Sequence, residues 1–124
     1  MNSDELLEEV LEEMATIGEY KGYVYRLYGD DGNIPHFHIL KDNKTIQCVR
    51  IDKAEYFTHN GKYTYKLNSG ERKALIEFLN SKHFNKYSET NWVYVVNQWN
   101  LENKNYPISD DLDMPDYTKL KFDK

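Results

Sequence analysis

The sequence predicts an α+β domain, ordered as an N-terminal helix, a five-stranded antiparallel meander, two C-terminal helices and an extended acidic tail. Three observations carry the prediction. Apolar residues recur at three- and four-residue spacing near the start of the chain. Five short segments separated by turn residues follow. Two capped helical patterns then come after the strands, and this segregation is the α+β signature. A chain of 124 residues, 40% of them hydrophobic, is one domain with a real core. The expected division is a single domain over 1–106 and a tail over 107–124 that lies on the surface or is partly disordered.

Asn2, Ser3, Asp4 and Glu5 can cap a helix. Leu6, Leu7, Val10, Leu11, Met14 and Ile17 form its apolar stripe, with Glu8, Glu9, Glu12 and Glu13 on the other side and Gly18 as its end. The stripe packs on the domain's own sheet or on another protein. Strands are expected over 23–28, 35–40, 45–51, 55–58 and 63–67, since apolar or aromatic residues alternate there. Turn residues fill 29–33 and 42–44, and Asn60-Gly61 is a hairpin signal. In the third strand Ile46 and Cys48 share one face and Val49 and Ile51 the other. Asn68 to Glu71 caps the second helix, with Leu75, Ile76, Phe78 and Leu79 on its apolar side. A third helix begins near Ser88-Glu89 and carries Trp92, Val95, Val96 and Trp99, although 92–96 also fits a strand.

The net charge of −5 is unevenly spread. Both ends are acidic and residues 23–100 are mildly basic, which argues against simple non-specific DNA binding. The acidic N-terminus lacks the basic and apolar run of a secretory signal, and no apolar stretch has the roughly 20 residues of a membrane span. Cys48 is the single cysteine, so no internal disulfide or cysteine-tetrad zinc site forms. A cytoplasmic protein without membrane contact is expected. The residue usage, rich in Lys, Asn, Tyr, Ile and Glu, fits an AT-rich genome such as that of many bacteria and phages.

The stretch from Gly29 to Ile39 holds the most chemistry. His36 and His38 are two apart on an expected strand, so they project to one face about 7 Å apart. They could share a divalent metal or divide acid and base roles. Asp30 or Asp31 from the preceding turn, or His59 from a later one, would complete a metal site; in the alternative the pair is a solvated strand face. His59 and His83 otherwise read as surface residues, and Cys48 as buried packing. A second set, Arg26, Lys41, Lys44, Arg50, Lys53, Lys62 and Lys66 interleaved with Tyr25, Tyr28, Tyr56, Tyr63 and Tyr65, could stack bases and hold phosphates, or simply keep a sheet soluble.

Tyr25-x-x-Tyr28, Pro35-His36-Phe37-His38-Ile39, a capped Leu-rich helix and Glu89-x-Asn91-Trp92 together resemble a small bacterial family, domain of unknown function 4160. The resemblance spans residues 23–100. It implies no established activity, a position beside another small protein in a toxin–antitoxin arrangement, and His36 and His38 as the positions of interest.

Three functional classes follow. The first is a small regulatory protein of a bacterial or phage conflict system that acts by binding another protein. There Leu7, Leu11 and Met14, with Arg26, Arg50 and Trp92, supply contacts. The second is a hydrolase or nuclease acting on phosphodiester or nucleotide substrates. Its catalytic candidates are His36 and His38, and a divalent metal would be held by His36, His38 and Asp31. The third is a binder of single-stranded nucleic acid or nucleotides.

Overall fold

The computed structural model describes residues 14–28, 33–109 and 111–121. The architecture is α+β. Four antiparallel strands, β1 (Met14–Tyr20), β2 (Tyr23–Tyr28), β3 (His36–Lys41) and β4 (Lys44–Arg50), form a sheet in sequence order. Two helices follow, α1 (Ser69–Asn80) and α2 (Asn91–Glu102), and then a short 3₁₀ turn at Tyr117–Lys119.

The first correction concerns the start. Leu7 and Leu11, and with them most of the expected N-terminal helix, lie outside the described residues, but Met14, Ile17 and Gly18 belong to β1. Local hairpin geometry decides this. Lys21 and Gly22 have φ values of 52° and 85°, the positive pair of a two-residue type I′ turn, which returns the chain directly from β1 to β2. Gly18 therefore ends no helix. It is where α1 meets the sheet: a Cβ there would come within 3.0 Å of the Phe78 ring.

The meander is also corrected. Asp42 and Asn43, at φ 52° and 63°, make a second tight turn between β3 and β4 where turn chemistry was read. Among the described residues no further full strand forms beyond β4. Residues 55–57 run beside β4 through a single bridge, Val49 to Tyr56, with Arg50 N–H donating to Glu55 O and Phe57 N–H to Cys48 O. Asn60 and Gly61, at φ 57° and 88°, make the tight turn their sequence signals, but residues 63–67 are not a strand. The amide of Gln47 donates to the carbonyls of Tyr63 and Tyr65 instead.

The helices form where expected. The Asn68 side chain accepts from Glu71 N–H while the Glu71 carboxylate accepts from Asn68 N–H, a complete capping box. Thr90 caps α2, and the competing strand over 92–96 is not adopted. Tyr25, Leu27, Phe37, Ile39 and Val49 from the sheet meet Leu75, Phe78, Leu79, Val95, Val96 and Trp99 in one core. Within it Tyr25 and Phe78 stack, with centroids 4.1 Å apart. Trp92 lies in this core at 7% exposure, so it offers no contact surface.

The expected surface tail is anchored. Ile108, Tyr117 and Leu120 are buried. Asn100 exchanges two hydrogen bonds with the backbone of Ile108, and the Tyr117 hydroxyl donates to the carbonyls of Arg50 and Ile51. Burial raises the pKa of both Tyr25 and Tyr117, with smaller upward pushes from Tyr23 on the first and Asp52 on the second. A phenol whose folded pKa exceeds its unfolded one adds stability below the unfolded value and loses it as pH climbs past that point. Each ring should cost roughly 1.4 kcal/mol per pH unit above about pH 10. The urea midpoint is expected to fall steadily there, and less steeply in Tyr117→Phe; identical slopes would show that this ring ionises alike in the folded and unfolded states, with no upward shift on folding.

Candidate metal centre

One face of the sheet is given to the helices. The other, along β3 and β4, carries His36, His38 and Cys48. His38 stands directly across from Cys48, and His36 from Arg50; residues opposed in an antiparallel pair share a face. The segment after β4 covers them: the tilted Phe57 ring packs against His36, with centroids 4.3 Å apart, and His59 lies over both strand histidines. The ring centroids of His36, His38 and His59 are 4.8, 5.3 and 5.4 Å apart.

Those separations have a chemical meaning. Imidazoles bound to a tetrahedral zinc at about 2.0–2.1 Å hold their centroids about 3.2 Å from the ion, hence about 5.2 Å from one another. The three rings are already spaced in that way. One donor atom from each of His36, His38, Cys48 and His59 lies within 4.8 Å of all the others. A bound ion would draw them to roughly 3.3–3.8 Å, a closure of about 1 Å.

The surroundings orient the donors. His36 Nδ1 is 2.6 Å from the Ile34 carbonyl, which only accepts, so Nδ1 carries the proton and Nε2 is the basic nitrogen. Backbone carbonyls fix ligating histidines in the same manner. His38 Nδ1 lies 3.3 Å from Cys48 Sγ and 3.4 Å from Thr45 Oγ1. The Tyr28 ring meets His38 edge-on at 4.4 Å, and Tyr63 packs on His59 at 5.5 Å. His36 is 1% exposed and Cys48 fully buried. A nucleophilic cysteine needs access to its substrate, so burial argues against Cys48 acting as one.

The sequence-derived set is partly rearranged. His36 and His38 are together, as read. His59 joins them rather than standing alone on the surface, and Cys48 faces the histidines instead of serving as plain packing. Asp31 lies outside the described residues. Met14 begins β1. Arg50 is engaged by both oxygens of Asp52 at 2.9 Å. The aromatic residues proposed for base stacking have other duties: Tyr25 is core, Tyr28 and Tyr63 wall the histidines, and the Tyr65 hydroxyl donates to Glu71. An open groove of about 490 Å³, lined by Gly18, Tyr20, Phe78 and Phe84 among others, does not include the donor cluster, so cavity size does not point to the chemistry.

No family model, curated protein or solved structure matches this chain. No helix among the described residues is long and apolar enough to cross a membrane.

Proposed function

We propose that this protein is a metal-binding domain whose centre, His36, His38, Cys48 and His59, takes a borderline-soft divalent ion, zinc foremost. The observation that carries the reading is the convergence of three imidazoles and one thiol from β3, β4 and the covering loop at near-tetrahedral spacing. Imidazole and thiolate donors suit zinc, cobalt, nickel and copper, and disfavour magnesium and calcium, which take oxygen ligands. The rings of Tyr28, Phe57 and Tyr63 pack around the buried His36, His38 and Cys48, and a less polar surrounding strengthens the ion–thiolate attraction. Of the three functional classes, this arrangement favours the metal-dependent one.

Cobalt is the direct probe. One equivalent of Co²⁺ should give intense tetrahedral d–d bands and a thiolate-to-cobalt charge-transfer band. The charge-transfer band should vanish in Cys48→Ser, while the d–d bands weaken or shift. Weak, octahedral-type absorption, or a Cys48→Ser spectrum identical to the parent, would refute the centre.

A further inference from the structure

Arg26 stands directly across from His38 in the β2–β3 ladder, as Cys48 does from the other side. All three side chains therefore leave the sheet on one face. Arg26 is half-buried. Its Nε is sealed from solvent with no hydrogen-bond partner, and no carboxylate among the described residues pairs with it. A guanidinium does not shed its proton, so this charge stays. Arg50, on the same face, is neutralised by Asp52 and Glu55.

A divalent ion held by three neutral imidazoles and one thiolate has a local charge of about +1, and Arg26 brings it to about +2. Two like charges in an aromatic-walled, half-buried place are costly unless an anion joins them. The donors are also unequal. His36, His38 and Cys48 are fixed by paired strands. His59 comes from the covering loop, with φ 50° just before the Asn60-Gly61 turn. Three rooted protein donors with an exchangeable fourth position is the arrangement of reactive zinc sites.

Resting on the metal reading above, we infer that the centre accepts a small oxyanion, of phosphate or carboxylate type, which replaces His59 on the ion and is gripped by the Arg26 fork. Arginine suits this role because its planar donors match two oxygens of such a group at once. The ligand class is then an anionic ester, phosphate or acid.

The test uses the full chain loaded with Co²⁺, its visible bands recorded first alone and then during titration with sulfate, as the phosphate-like probe, or with acetate. A saturable shift of the bands is expected. Arg26→Gln should weaken it about tenfold or more, given the strength of a charged hydrogen bond, with Arg26→Lys in between. His59→Ala should bind the anion more tightly, since no protein donor competes. Saturation by sulfate alone assigns a phosphate-type ligand; by acetate alone, a carboxylate. If the cobalt bands form but neither anion moves them, or Arg26→Gln and Arg26→Lys both respond like the parent, the anion site is overturned and the metal centre stands. If no tetrahedral bands appear before any anion is added, the metal reading itself falls, so the two failures are distinct.

Discussion

Removing metal with a chelator is expected to lower the melting temperature by about ten degrees, and adding back one equivalent of Zn²⁺ to restore it. A ligand at one hundred times its Kd stabilises the folded state by about 2.7 kcal/mol. For a domain of this size each kcal/mol moves the transition by roughly 3–6 °C. The increment should be local as well as global. The segment 51–68 covers the donors with no regular strand of its own, so its amide protection should depend on metal far more than that of α1 or α2. His38→Ala, which removes the histidine placed between Arg26 and Cys48, should erase the metal-dependent increment without changing the melt of the chelated protein by a comparable amount. A parent melt that is the same with chelator and with zinc would mean that the rings merely pack together.

The largest effect without metal should come from Trp99→Ala. Trp99 is fully buried, belongs to the core shared by helices and sheet, and donates from Nε1 to the Tyr106 carbonyl at 2.8 Å. Truncation removes a whole indole and leaves a cavity, which costs about 3–5 kcal/mol; the stranded carbonyl adds to it. Against a total stability of about 5–15 kcal/mol, the variant should be marginal or unfolded in urea titration. Trp99→Phe keeps a ring but loses the donor, so it should fold and lose about 1–3 kcal/mol. Its ring also tests coupling to the donor cluster, because Trp99 lies 5.9 Å from His36. Equal stability of Trp99→Ala and the parent would contradict this account of the core.

The residues differ in how much they reveal before folding. Asn68 and Glu71 announce α1 because a capping box needs only two side chains three apart. Asp42-Asn43 announces a turn because short polar side chains tolerate positive φ. The same local logic fails at 14–17, where the helical spacing of Leu6 to Val10 runs on into residues whose partner is β2. Lys21-Gly22 was the available signal for that hairpin. The anchors of the surface tail are illegible for a related reason: Ile108, Tyr117 and Leu120 are too sparse to show periodicity, and only their contacts reveal them.

The candidate centre divides along the same line. By itself the sequence determined that His36 and His38 share a face, because alternation along a strand is a property of the backbone. It could not determine which residue opposes them. Counting back from the Asp42-Asn43 turn, Lys41 faces Lys44 and Leu40 faces Thr45, so an unbroken ladder would set His38 against Gln47 and turn Cys48 into the core. A bulge at Ile46 shifts the register by one residue and sets Cys48 against His38. Such a shift exchanges the two faces of a strand. His59 likewise arrives only because the loop after β4 folds back over the sheet. Tertiary structure decided the thiol and the third imidazole, since both depend on which segments lie side by side in space.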